Sequence, residues 1–295
     1  MRGAGTVSLA LRALRDVRSE RSGRRSVALC GQPGAVEQVH EVLVADDRAD
    51  PDAAIMVALR RLERGDVRSL QAAAAVVYGG WASHGFDSEL RADVELVASA
   101  GRPAVLLLEG AEAVSAAEQA ARIDGIQPQD AIVVRAGRSP VGPALRRLAE
   151  QLGGDGPVLA QRLPALRTYV IDRLIAQASR RNGAAAAAIW IPGADLPVLT
   201  AVQLQLVLRI AACYGEEPSP DRLLELGSVF GAGIGLRAIA REALDLVPLA
   251  GWAVKGAVAF SGTKAIGLAA REYYERGAIA DLSKLRSAAE AARGG

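Results

Sequence analysis

From residue 26 onwards, short apolar runs alternate with segments of helical spacing, and this alternation constrains the fold more than any other feature. The predicted strands are Val27–Cys30, Ala53–Leu59, Ala72–Tyr78, Ala104–Leu108 and Ala131–Val134, and the predicted helices are Ala35–Val44, Ser88–Ala100, Val114–Arg122 and Pro143–Leu152. Short buried strands joined by helices form right-handed crossovers and a parallel sheet covered on both faces. The sequence therefore predicts an α/β domain over residues 26–153, with a doubly wound, mainly parallel sheet of about five strands.

The first predicted strand is followed by a glycine turn and a helix, which is the local architecture that binds phosphate through backbone N–H groups. Gly31 and Gly34 lie where such a loop places its glycines, but residues 36–38 read Val-Glu-Gln instead of Gly-Lys-Ser/Thr. Glu37 brings a negative charge where the lysine would meet phosphate, and Gln38 cannot supply the hydroxyl that holds Mg²⁺. We interpret the loop as a structural turn, and the alternative is residual binding of another anion at the helix N-terminus.

This order of elements, with the two loop glycines, resembles the small GTPases of the Era and Ras-like superfamily. The other signatures of that family are missing at their expected places. These places read Ala58-Leu59-Arg60-Arg61 for Asp-x-x-Gly, Glu109-Gly110-Ala111-Glu112 for Asn-Lys-x-Asp, and Arg135-Ala136-Gly137 for the late Ser-Ala signature. Phosphoryl transfer depends on positioning and on cations at the β and γ oxygens. The resemblance thus implies a degenerate, non-catalytic domain, a pseudo-GTPase, with no catalytic residue, cofactor or metal.

Charge and cysteine content argue against several other classes. A net charge of +2 over 295 residues argues against a nucleic-acid-binding protein that relies on bulk charge. Cys30 and Cys213 lie in apolar runs and are predicted to be buried free thiols, which is typical of a reducing compartment. His84 and the acidic loop at 46–52 are interpreted as solvated surface residues. The sequence has neither a signal-peptide pattern nor an uncharged apolar run of about 20 residues, so we expect a cytoplasmic protein, with peripheral contact at the inner face of the cell membrane left open.

The remaining segments are predicted to be helical. Residues 1–25 form a basic amphipathic leader, which can pack on its own domain or lie on an anionic membrane or a partner. The glycine-rich stretch beginning at 153 marks a boundary, so we assign 154–164 to a linker, 165–280 to a helical-hairpin bundle and 281–295 to a charged tail. Helices are predicted at Leu166–Ile191, Leu199–Tyr214, Asp221–Leu246 and Gly251–Tyr274.

Five residues of the bundle are candidates for interaction. Gly227, Gly231 and Gly235 lie on one helix face, where they allow a close crossing in a soluble bundle and helix association in lipid. Lys255 and Lys264 interrupt the apolar stretch Pro248–Ala270 and argue against a membrane span. A buried soluble helix and an interfacial hairpin remain the two alternatives for this stretch.

The helical half also resembles a bacterial helical domain of unknown function, number 697, which is often found beside GTPase domains. The residues that carry this resemblance are Asn182 with the following alanine run, Leu199-Thr200 with Gln203, Tyr214-Gly215, and the block Pro248–Gly267. The resemblance implies a GTPase-associated domain with membrane-anchored relatives and no catalytic residues.

Together, the two halves predict a non-catalytic scaffold whose helical domain binds a partner protein, a second copy or a membrane surface, without nucleic acid. The alternative function is a divergent nucleotide-binding switch with noncanonical contacts. A weaker alternative is a protein that inserts its helical half into a membrane.

Overall fold

The computed structural model of the chain describes residues 26–188, 196–217 and 251–276, together with Ala13, Arg15 and Val17. The chain divides into two compact units. One unit, Ser19–Arg173, carries the sheet. In the other unit, Met1–Arg18 with Leu174–Gly295, the described secondary structure consists of helices and turns, with no strand among the described residues. The predicted order of an α/β domain followed by a helical region is thereby confirmed.

Five parallel strands form the single sheet of the described chain. They are β1 (Val27–Gly31), β2 (Ala54–Ala58), β3 (Ala75–Trp81), β4 (Ala104–Glu109) and β5 (Ala131–Val133). Their spatial order is β2-β1-β3-β4-β5, with every neighbouring pair parallel. This is a common doubly wound order, in which ligands bind beyond the carboxyl ends of β1 and β3, where the strand order reverses.

Helices cover both faces of the sheet. They are α1 (Ala35–Val44), α2 (Val67–Ala72), α3 (Ser88–Ser99), α4 (Ala113–Ala120), α5 (Val141–Gln151) and α6 (Gly156–Arg162). One face packs against α2, α3 and α4, with Leu70, Val94 and Ala116 in its core. Successive residues of β3 separate the two faces, because Gly79 adjoins Val36 of α1 whereas Gly80 adjoins Leu90 of α3.

Several sequence predictions differ from the structure in this unit, and the largest differences are at the third strand, whose predicted first residue Ala72 belongs to helix α2, and at the linker. The third strand was expected to end at Tyr78, before a glycine turn, but β3 continues through Gly79 and Gly80 to Trp81. Gly79 is needed inside the strand, since a Cβ there would lie 2.6 Å from the carbonyl oxygen of Gln32, whereas a Cβ at Gly80 would press on the side chains of Leu90 and Leu108. The segment assigned to a linker at 154–164 contains helix α6, whose residues 156–160 are buried. The division between the units falls at Arg173, within the next helix.

The helical unit contains three described helices, α7 (Pro164–Ala188, which begins in the first unit), α8 (Leu196–Cys213) and α9 (Gly251–Glu275). In the leader, Ala13 and Val17 are helical and pack against Leu208 of α8, while Arg15 is exposed. The predicted helix Asp221–Leu246, the tail 281–295 and the rest of the leader lie outside the described residues. Across the described ranges, no helix is both long and apolar enough to cross a membrane.

Candidate functional site

The loop after β1 turns sharply through two glycines that have positive φ angles. Gly31 and Gly34 have φ angles of +98° and +106°, which favour glycine. The loop is fixed to the neighbouring strand, because the N–H of Gln32 donates to the carbonyl of Gly79 at 2.7 Å. A Cβ at Gly31 would overlap that same carbonyl oxygen. The two glycines therefore allow the chain to turn tightly against β3 and enter α1.

Two carboxylates already occupy backbone donors at the N-terminus of α1. The N–H of Gly34 donates to Glu37 Oε2 at 3.0 Å, and the N–H of Ala35 donates to Glu109 Oε1 at 2.6 Å. The backbone N–H of Gln38 is also committed, since it donates to the carbonyl of Gly34 at 3.2 Å, and the Gln38 side chain is exposed. Carboxylates are favoured here because the unpaired N–H groups and the helix dipole make this end of a helix positive.

Glu109 reaches the loop because of its position in the sheet. It is the last residue of β4 and lies opposite Trp81 of β3. Its carbonyl accepts a hydrogen bond from Ala82 N at 2.6 Å, which fixes the backbone from which the side chain extends. Its carboxylate would lie 2.8 Å from a Cβ at Gly34, so it lies directly beside the loop. The protein thus places the negative charge of Glu109 beside that of Glu37 at the N-terminus of α1.

The loop after β2 is held by ion pairs within the same unit. Arg60 pairs with Asp66 at 3.2 Å, and Arg61 pairs with Glu89 of α3 at 2.8 Å. The backbone N–H of Leu62 donates to the buried Asp93 at 3.2 Å. These contacts join residues of the loop to one another and to α3. In the GTPases that the sequence resembles, the corresponding loop carries the Asp-x-x-Gly sequence.

Asp93 is the centre of a buried polar cluster beneath that loop. Its Oδ2 accepts from the hydroxyl of Tyr78 at 3.0 Å. Burial raises the pKa of Asp93, against the opposing effects of the Tyr78 and Leu62 hydrogen bonds and of Arg61. Burial also raises the pKa of Tyr78, and it raises the pKa of Cys30 to about 12, with a further contribution from Asp93 in each case. These shifts favour neutral side chains, so the cluster offers no thiolate or phenolate nucleophile.

The other candidate side chains do not assemble into a catalytic or metal site. His84 is exposed in the loop after β3. In the acidic loop, Asp46 pairs with Arg48 and Asp50 pairs with Arg162. Within the described ranges, no group of three or more His, Cys, Asp or Glu side chains could hold a metal ion. Both cysteines are buried, as predicted, and neither is in a disulfide.

A buried hydrogen-bond network joins the three described helices of the helical unit. Asn182 of α7 donates from Nδ2 to Thr263 Oγ1 at 2.8 Å and to the carbonyl of Leu199 at 3.3 Å. Gln203 of α8 donates to the same hydroxyl at 3.2 Å, and Thr263 itself donates to the carbonyl of Ala259 at 2.8 Å. Asn182, Leu199 and Gln203 are among the residues that carry the resemblance in the helical half, and the structure brings them together in one network with Thr263.

The structure locates the interaction candidates only in part. Lys264 is exposed on α9 and Lys255 is half-buried, whereas Gly227, Gly231 and Gly235 lie outside the described residues. Another close helix contact, which was not predicted from the sequence, involves Gly183 of α7 and Gly256 of α9. A Cβ on Gly183 would lie 3.2 Å from the carbonyl oxygen of Gly256. Two isolated glycines on different helices give no local pattern that could have revealed this contact.

Comparison of the chain with protein families, with curated proteins and with solved structures finds no match. Fold and site together define a parallel α/β domain in which two of the protein's own carboxylates bind the N-terminus of the first helix, followed by a helical region.

Proposed function

We propose that the chain is a non-catalytic scaffold or interaction protein, built from a degenerate GTPase-like domain and a helical domain that binds a partner protein or a membrane surface. The proposal that the GTPase-like domain is non-catalytic rests on two hydrogen bonds, from the N–H of Gly34 to Glu37 and from the N–H of Ala35 to Glu109. A nucleotide would have to displace two carboxylates from the helix N-terminus, without the lysine and hydroxyl that normally hold its phosphates and Mg²⁺.

The fixed loop after β2 also supports a scaffold. A GTPase signals through segments that become ordered on γ-phosphate and are released on hydrolysis. Here Arg61 forms an exposed ion pair with Glu89 of α3, and the N–H of Leu62 donates to the buried Asp93 of the same helix. These contacts to α3 favour a loop of constant structure over a switch.

The exposed face of α9 supports the proposal that the helical domain binds a partner protein or a membrane surface. Phe260 and Leu268 are 38% and 46% exposed, and the exposed Lys264 lies between them at four-residue spacing. Residues four apart share a helix face. A cation flanked by two large apolar side chains suits either an anionic lipid surface or an acidic, partly apolar partner.

A pair of substitutions on α9 tests this role. The full chain is floated with vesicles containing anionic lipid at low and high salt, and affinity capture from lysate is run in parallel. We expect Phe260→Ser with Leu268→Ser to abolish whichever association the native chain shows. The control Val114→Ser, at an exposed apolar position on α4, should leave the association intact. The proposal fails if the native chain neither floats nor captures a partner, or if the α9 variant behaves like the control.

The alternative is a divergent nucleotide-binding switch, which is favoured by the retained strand–glycine–helix geometry. It is tested by titration with fluorescent GTP and ATP in the presence of Mg²⁺. Saturable micromolar binding that is abolished by Gly34→Val would replace the scaffold proposal with the switch.

A further inference from the structure

Strand β2 is an edge strand with an unusually apolar sequence. It pairs with β1 on one side and is the last strand of the sheet on the other. From Ala54 to Ala58 it contains no charged residue and no proline, and Ile55 is 45% exposed. Monomeric proteins usually protect such an edge with lysine, proline or a covering element, because its free backbone groups can pair with another strand.

The register of β2 leaves a regular stretch available for pairing. Ala54, Ile55 and Met56 lie opposite successive residues of β1, and the irregularity in register comes only after Met56. A bulge is one way to protect an edge. In β2 it affects the carboxyl end and leaves the first three residues in regular strand geometry.

The two ends of β2 carry opposite charge. Residues 46–52, before the strand, include four aspartates and one arginine, whereas residues 60–68, after it, include four arginines and two acidic residues. Some of these charges are paired locally, such as Asp46 with Arg48 and Arg60 with Asp66. Asp47, Asp52 and Arg64 are exposed and form no ion pair with the described part of the chain.

We propose that the β2 edges of two copies of this chain pair antiparallel about a two-fold axis, joining their two five-stranded sheets into one. In this arrangement, the amino end of one β2 lies beside the carboxyl end of the other. The acidic segment of each copy then faces the basic segment of its partner, and symmetry forms this contact twice. A second copy therefore supplies hydrogen-bond partners for the free backbone groups of β2 and an opposite charge at each end of the strand. An unrelated strand would need a basic segment at one end and an acidic segment at the other.

A single edge substitution tests the interface. Analytical ultracentrifugation of the full chain over a range of concentrations is expected to show a monomer–dimer equilibrium. Ile55→Lys puts a cation on the pairing edge and should abolish the dimer. Val114→Lys makes the same change at a comparably exposed position on α4 and should leave the dimer unchanged. A chain that stays monomeric at about 1 mM, or a dimer that is equally stable in both variants, overturns the proposal.

A charge exchange tests the antiparallel orientation and does not depend on the edge variant. Asp52→Arg and Arg64→Asp should each raise the dimer dissociation constant, by about tenfold for two symmetry-related contacts. The two changes combined in one chain should restore dissociation to near the native value, because each copy again offers opposite charges. Failure of this restoration, in chains with native circular dichroism, contradicts the antiparallel arrangement. The proposed interface lies in the α/β unit. A result that refutes the dimer therefore does not bear on the proposed role of α9.

Discussion

Replacement of Glu109 by alanine measures how much the internal carboxylate stabilises the loop and the first helix. The Ala35 N–H would lose a charge-assisted hydrogen bond of 2.6 Å, and the N-terminus of α1 would lose a neighbouring negative charge. A hydrogen bond to a charged group contributes roughly 1.5–3 kcal/mol, and a charge at a helix terminus about 0.3–1 kcal/mol. Water can reach the half-buried site and recover part of this loss. We therefore expect Glu109→Ala to lower the free energy of unfolding by about 1.5–2.5 kcal/mol.

Two further variants separate the charge from the hydrogen bond. Glu109→Gln keeps an acceptor oxygen and loses only the charge, so its cost should be about 0.5–1 kcal/mol. Glu118→Ala removes an exposed carboxylate from α4 and should cost at most about 0.5 kcal/mol.

The assay follows urea unfolding of the full chain by hydrogen exchange and mass spectrometry of peptides from residues 32–44. This local readout is needed because a chain with two units need not unfold in one step. If Glu109→Ala destabilises these peptides no more than Glu118→Ala does, the carboxylate does not support the loop and the reasoning fails.

Other predictions test the loop geometry and the buried cluster. Gly31 has a φ of +98°, and the Cβ introduced by Gly31→Ala would overlap the backbone of Gly79. We expect this variant to lower the free energy of unfolding, measured by heat or urea, by about 2–4 kcal/mol. The matched control Gly125→Ala, at a φ of +88° with open space, should cost only about 1 kcal/mol, and equal costs would refute the overlap. Because burial raises the pKa of Asp93, the folded state holds its proton more tightly than the unfolded state does, and the residue stabilises the fold less as the pH rises. The difference in free energy of unfolding between Asp93→Asn and the native chain should therefore shift in favour of the variant as the pH rises above about 4, whereas a difference that does not change with pH would contradict the raised pKa. With a pKa of about 12, Cys30 should have about a thousandfold less thiolate at about pH 8 than an ordinary cysteine. Alkylation of a variant that keeps only this cysteine should consequently require urea, and rapid labelling of the folded protein would refute its burial.

The sequence predicted most of the α/β architecture because apolar runs and helical spacing are local signals. Helix α1 has the predicted bounds, and β1 extends the predicted strand by one residue. Local signals failed at Gly79 and Gly80, where a glycine pair is typical of a turn. The neighbours of those glycines, the backbone of Gln32 at Gly79 and the side chain of Leu90 at Gly80, are distant in sequence, and no local pattern reveals them.

Only part of the candidate site could be predicted, again because local signals do not reveal contacts between residues that are distant in sequence. The sequence identified Glu37 as a charge unsuited to phosphate, and its position at the third residue of a helix is a recognised position for a carboxylate that bonds back to the helix start. The role of Glu109 could not be deduced, because it depends on β4 lying beside β3 with Glu109 opposite Trp81. The shared hydroxyl of Thr263 in the helical unit likewise depends on three helices meeting at one point.

The central claim is that Glu37 and Glu109 occupy the N–H groups through which this loop would bind a phosphate group. The most direct measurement follows the amide NMR resonances of Gly34 and Ala35 in the full chain. The account predicts that Glu109→Ala shifts the Ala35 resonance, while Mg²⁺–GTP added to the native chain up to about 1 mM moves neither resonance. Saturable movement of both resonances on addition of Mg²⁺–GTP to the native chain would contradict it.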